Sequence, residues 1–132
     1  MRIVTTTLNR VVGLIGLGED ETARVNLVSL GGPDTLPWRV QTTFFDGVGN
    51  VVKRSEVEIA PGQSSSMDVG FQEVENMPRD AKVPRKQLRL ELVGFNPQPE
   101  PPGLVANLEV FGTKSGATRF IGDPQLVPNS PR

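Results

Sequence analysis

The chain has no cysteine, no histidine and no tyrosine among its 132 residues, and it has one tryptophan. Without thiols there is no disulfide staple and no thiol nucleophile. Without thiols and imidazoles the usual zinc, copper and haem ligand sets are missing, so no metal and no cofactor is expected. The commonest general base is missing too. Charge of one sign is equally lacking: Lys+Arg 14 against Asp+Glu 15 leave a formal charge of −1. No global field therefore draws the chain to nucleic acid or to anionic lipid. No run approaches the roughly 20 apolar residues that cross a bilayer, so no membrane insertion is expected. The lack of cysteine suits both a reducing cytosol and the cell exterior, and the exterior or cell surface is the favoured of the two.

Glycine (14) and proline (12) are plentiful, and they punctuate short segments of alternating polarity. The length corresponds to one domain that can bury a core without cross-links. Residues 2–8 are rich in β-branched side chains and residues 11–17 are apolar with two glycines, which reads as a pair of N-terminal strands. The same stretch imitates a weak signal peptide, but Thr5-Thr6-Thr7 interrupts it and Glu19-Asp20-Glu21 stands where a small-residue cleavage site belongs. In 21–30, Ala23, Val25 and Leu27 share one face and Arg24 and Asn26 the other. Trp38, Val40, Thr42 and Phe44 share a face in 38–45, as do Leu88, Leu90 and Leu92 in 87–95 and Ala106, Leu108 and Val110 in 104–111. Further strands are expected at 51–59, 63–71 and 118–121. Residues 72–86 read as irregular, with one helical turn near 72–76. Residues 123–132, with Pro124, Pro128 and Pro131, read as an extended tail unable to form a central strand.

About seven to nine short strands with one wet face each specify an all-β chain, a single antiparallel β-sandwich over residues 1–122. No helical segment has the length that parallel crossovers require, which argues against an α/β fold. The succession of 21–30, the Trp38-led 38–45, 51–59, Ala60-Pro61-Gly62 and 63–71 resembles immunoglobulin-like and fibronectin-type-III-like sandwiches of bacterial accessory domains. The resemblance covers about the first two thirds of the chain. It implies an immunoglobulin-like layout with Trp38 as the core tryptophan at the start of the third main strand. No cysteine pair flanks Trp38 and no tyrosine corner can form, so an antibody-type domain is excluded.

The leading candidate for recognition is Phe95-Asn96-Pro97-Gln98-Pro99-Glu100-Pro101-Pro102-Gly103. Each proline fixes φ near about −65° and biases the residue before it away from helix. The segment is expected to stand as a stiff polyproline-like loop presenting Phe95, Asn96, Gln98 and Glu100 to a partner. The alternative is a rigid edge-blocking connection within a hairpin. On the first reading, replacing 97–102 by a short glycine-containing turn leaves folding intact and removes binding. Pro99-Glu100-Pro101-Pro102 has the minimal PxxP spacing, which inside a folded hairpin is a weak SH3 signal.

Two other features are expected to contribute. Of Phe44-Phe45 one ring must point in and the other out, so Phe45, beside Phe95 or Phe111, offers an apolar patch. The basic run 79–89, which includes Arg85 and Lys86, offers charge for an acidic partner, with a solvated strand face as the alternative. It lacks the aromatics that would stack bases. Asp46-Gly47-Val48-Gly49-Asn50 has too few oxygen ligands for calcium and reads as a hairpin turn. Ser64-Ser65-Ser66 has no histidine to activate it, and no carboxylate pair is spaced for glycosidase chemistry. The function expected is a non-catalytic structural or protein-interaction module, contacting a protein partner or a second copy through 95–103 and its edge strands. A carbohydrate-binding accessory module is the alternative, and an enzyme a distant third.

Overall fold

Alternating side chains sort into two sheets that turn their apolar faces toward each other. The computed structural model describes residues 6–75, 85–98, 101–122 and 125–126. The strands are β1 (Thr6–Gly18), β2 (Glu21–Ser29), β3 (Trp38–Asp46), β4 (Val51–Ile59), β5 (Ser64–Gly70), β6 (Arg85–Asn96), β7 (Leu104–Gly112), β8 (Thr118–Gly122) and β9 (Gln125–Leu126). One sheet has the order β4-β3-β6-β1-β9 and the other β5-β2-β7-β8, with every pairing antiparallel. The chain is thus all-β, with two stacked sheets as in a β-sandwich. The inward rows are those the alternation marks: Ala23, Val25 and Leu27 on β2, Trp38, Val40 and Phe44 on β3, Leu88, Leu90 and Leu92 on β6, Leu108 and Val110 on β7. Each such valine, leucine or phenylalanine side chain contributes about 1.5–3 kcal/mol by leaving water.

Four local expectations are revised. The N-terminal region is one strand, not two: β1 pairs β6 from Thr6↔Asn96 to Gly18↔Arg85 within the same chain. The register slips between Val12 and Ile15, beside Gly13. This bulge moves the inward set from even residues (Leu8, Val12) to odd ones (Ile15, Leu17), so one long strand keeps burying apolar groups on both sides of it. Residues 1–5 lie outside the described residues. The helical turn is a 3-10 turn at Phe71–Glu73, earlier and shorter than expected. It is held by the Val74 N–H donating to the Phe71 carbonyl (3.2 Å) and the Gly70 N–H donating to Glu73 Oε2 (2.7 Å). Within the tail, Gln125 and Leu126 pair with Val11 and Arg10 as a short edge strand.

The fourth revision concerns the proline segment. It is not the connection of a hairpin, because β6 and β7 belong to different sheets. Both sides of β6 are already occupied, by β3 and by β1. The chain leaving Asn96 therefore finds no free slot beside it and crosses to the second sheet, where β7 adds to β2.

Candidate functional site

The proline segment is docked, and the docking begins one residue before Phe95. Gly94 is buried, and a Cβ there would lie 3.3 Å from Cε3 and Cζ3 of Trp38. The glycine lets β6 pass directly against the indole. The Trp38 Nε1–H then donates to the Pro102 carbonyl at 3.0 Å. Asn96 is fully buried. Its Nδ2 donates to the Leu36 and Pro37 carbonyls (3.1 and 3.3 Å), and its Oδ1 accepts from the Gln98 N–H (2.9 Å). Gln98 returns the bond, its Oε1 accepting from the Leu36 N–H at 2.9 Å. The Leu30 N–H donates to the Gly103 carbonyl at 2.9 Å. Gly31 faces Pro102 so closely that a Cβ would lie 2.7 Å from the proline Cβ. Residues 96–98 and 101–103 form, with residues 30–37, one layered cap over this end of the sandwich. Asn96 can be buried because its amide is paired on both sides; a buried polar group left unpaired costs about 1–3 kcal/mol.

This arrangement changes what the segment shows to solvent. Asn96, expected in an exposed array, is turned inward, and Gln98 is half-buried and occupied with Leu36. Pro99 and Glu100 lie outside the described residues. Pro101 and Pro102 are half-buried, while Pro97 is exposed. Phe95 points outward from β6, opposite Thr7 of β1 and Arg39 of β3. Together with Leu36, Pro37, Pro97, Arg39 and Glu58 it lines a shallow groove of about 270 Å³. Phe95 is 39% and Leu36 46% exposed, and Val93 lies on the next outward position of β6. The Pro102 carbonyl that accepts from the Trp38 indole belongs to the 97–102 stretch whose replacement the loop reading expects folding to tolerate.

The other two expected contributors are elsewhere. Phe45 shares the outer face of its sheet with Phe95, but it faces Arg89 while Phe95 faces Arg39. Six residues of extended chain, about 20 Å, separate the two positions. The Arg89 guanidinium covers the Phe45 ring, 4.5 Å from its centroid. Phe111 is on the other sheet, with Arg24 at 4.9 Å from its ring centroid. A joint aromatic patch is therefore not formed. Arg85 and Lys86 begin β6, at the far end from Asn96 by about 36 Å of strand. Arg85 Nη1 donates to Glu21 Oε1 (3.1 Å), and Lys86 Nζ donates to the Phe71 carbonyl (3.1 Å) while lying 4.0 Å from the Phe71 ring centroid. Residues 79–84 of the basic run lie outside the described residues.

Sequence reasoning missed Leu36 and Pro37, two of the six residues that line the groove. The available signal was an apolar pair one residue after Gly31-Gly32-Pro33-Asp34 and directly before the one tryptophan. It also missed Glu21, which joins the opposite end. The Glu21 carboxylate accepts from the Gly18 N–H (2.7 Å), from Arg85 and from Arg119 Nε, and Arg119 Nη2 donates to the Gly16 carbonyl (2.6 Å). Burial pushes the Glu21 carboxyl up, but the Arg119 hydrogen bond, the Gly18 N–H and the charges of Arg119 and Arg85 outweigh it. The group is held below the ordinary carboxylate range.

Three further carboxylates are also engaged. Asp46 is buried, and its Oδ1 accepts from the Val48 and Asn50 N–H groups (3.0 and 2.9 Å) in the β3–β4 hairpin, where Gly49 supplies φ +93. Asp68 pairs with Arg24 through two bonds (2.7 and 2.9 Å), and Glu73 with Lys53 at 3.2 Å. On the outer face of the four-stranded sheet, Asn26, Val28, Ser64, Ser66, Val105 and Asn107 line a second concavity of about 390 Å³. Asn26 Nδ2 donates there to Asn107 Oδ1 at 2.9 Å. Among the described residues no helix is long and apolar enough to cross a membrane. Neither a family model, nor a curated protein, nor a solved structure matches this chain.

Proposed function

We propose that the chain is a non-catalytic protein-interaction module that engages a partner at the Phe95–Leu36 groove and through its sheet edges. The supporting observation is an apolar surface on a backbone already held by Asn96, Gln98 and Trp38. Binding at such a surface orders little that is not already ordered. The non-catalytic reading is supported by the carboxylates just described, each of which is committed to arginine, lysine or turn amides. An immunoglobulin-like layout is supported by β2 with β5 in one sheet and β3, β4 and β6 in the other. Here β1 lies beside β6 and β7 beside β2, exchanging the places that the last and first strands hold in that layout.

The test places a photo-crosslinking side chain at position 95 or 36, with exposed Gln72 as the control position. A discrete protein adduct at 95 and 36 but not at 72 is expected. It should be competed by excess unmodified chain and not by a Phe95→Ser/Leu36→Ser chain. Adducts of equal yield at all three positions would end the proposal. A second reading, a carbohydrate-binding module, draws on the amide and hydroxyl groups of the Asn26–Asn107 concavity over its valine floor. A glycan array without binding removes it.

A further inference from the structure

The five-stranded sheet ends at β4, whose sheet partner is β3. On β4 the positions opposite the outward Thr43, Gln41 and Arg39 are Arg54, Glu56 and Glu58. Lys53 points the other way and reaches β5, its Nζ donating to the Asp68 carbonyl (2.7 Å) and to Glu73 (3.2 Å). The outer face of this edge is thus basic toward its N-terminal half and acidic toward its C-terminal half.

Charged side chains on an edge strand ordinarily keep sheets apart. Charges sorted by sign along the strand behave differently. Antiparallel pairing with a second copy reverses direction, so the basic half of one strand meets the acidic half of the other. Residues directly opposite in an antiparallel ladder share a face, which restricts the two-fold axis to pass through a residue position. An axis at Arg54 or at Glu56 sets a charge against its own copy. An axis at Ser55 sets Arg54 against the partner's Glu56, and Glu56 against the partner's Arg54.

We propose that β4 pairs antiparallel with β4 of a second copy about an axis at Ser55, joining two five-stranded sheets into one. Two side-chain arrangements fit this. Arg54 Nε donates to Thr43 Oγ1 (3.1 Å), which holds the guanidinium on the outer face. Glu56 has only a long contact to Arg39, 3.8 Å, with both side chains well exposed, so its carboxylate can turn to the partner. Glu58 stays opposite Arg39 on its own sheet. The inference deepens the edge-strand part of the proposed function and does not depend on the groove.

Sedimentation equilibrium of the full chain over a wide concentration range tests it. The expected species is a dimer that does not grow further, since the two-fold axis uses both copies of the edge. Glu56→Arg and Arg54→Glu, each of which sets like charges opposite twice, should each weaken the dimer by about tenfold or more. The combined Arg54→Glu/Glu56→Arg chain should regain most of the affinity. All these side chains are on the outer face, and circular dichroism should be unchanged. A strict monomer, an open-ended polymer, or a dimer indifferent to the single charge reversals would overturn the inference. If instead Phe95→Ser/Leu36→Ser dissociates the dimer and the β4 reversals do not, copies meet at the groove, which removes this inference and leaves the interaction-module reading standing.

Discussion

The two ends of this sandwich are closed by different chemistry. At the proline end, Trp38, Asn96, Gln98 and Leu36 exchange neutral hydrogen bonds around a buried amide and an indole. At the opposite end, Glu21 gathers Gly18, Arg85 and Arg119, tying β1 and β6 of one sheet to β2 and β8 of the other with charge. Neutral buried bonds are indifferent to salt and to pH away from extremes. Partly exposed ion pairs are screened and titrate. The end that keeps its shape across conditions is the one that carries the apolar groove.

Substitutions can sharpen or break this contrast. Trp38→Ala should have the largest effect, about 3–5 kcal/mol of unfolding free energy in a urea titration, because it empties the core and frees the Pro102 carbonyl. Asn96→Ala should lose about 2–3 kcal/mol, since the Leu36 and Pro37 carbonyls and the Gln98 N–H lose their partner together. That loss should be the same in low and high salt; a loss that vanishes in high salt would contradict the neutral-staple account. Gly94→Ala should destabilise by about 1–2 kcal/mol, because the new methyl presses on the Trp38 ring, and the indole fluorescence should shift with it.

Glu21→Gln should have the smallest effect, about 1 kcal/mol at neutral pH, and it should shrink with added salt. Its pH dependence has a defined sign. The folded-state pKa of Glu21 lies below its unfolded value, so the contribution is complete above the ordinary carboxylate range. It is lost as pH falls through the lower, folded-state value. Wild type and Glu21→Gln should therefore converge in stability in acid, and a gap that widens in acid would contradict the assignment. The Asn96→Ala gap should persist over the same interval.

Much of this was legible in the alternation of residues. Leu88, Leu90 and Leu92 point inward as their spacing demands, and continuing the same parity reaches Gly94 and Asn96, both buried. The inward turn of Asn96 was thus written in the strand, but a polar residue beside prolines reads as a loop. The bulge at Gly13 was not legible, because the same residues serve as two strands or as one that slips. Nor was the covering of Phe45, which depends on the β3–β6 register that brings Arg89 beside it. The Glu21 cluster joins residues 64 and 98 positions apart, beyond any local pattern. The sheet crossing after Asn96 follows from β1 occupying the far side of β6, a pairing between strands with four others between them in the chain.

The central claim is that residues 95–98 and 101–103 form a preformed, docked surface and not a free loop. Hydrogen exchange followed by nuclear magnetic resonance at the Trp38 indole N–H and the Gln98 amide tests it most directly. Both should be protected together with the core amides of Val40 and Leu90, and both should lose protection in Asn96→Ala while the core keeps its own. Rapid exchange at both positions in the wild-type chain, with the core still protected, would contradict the account.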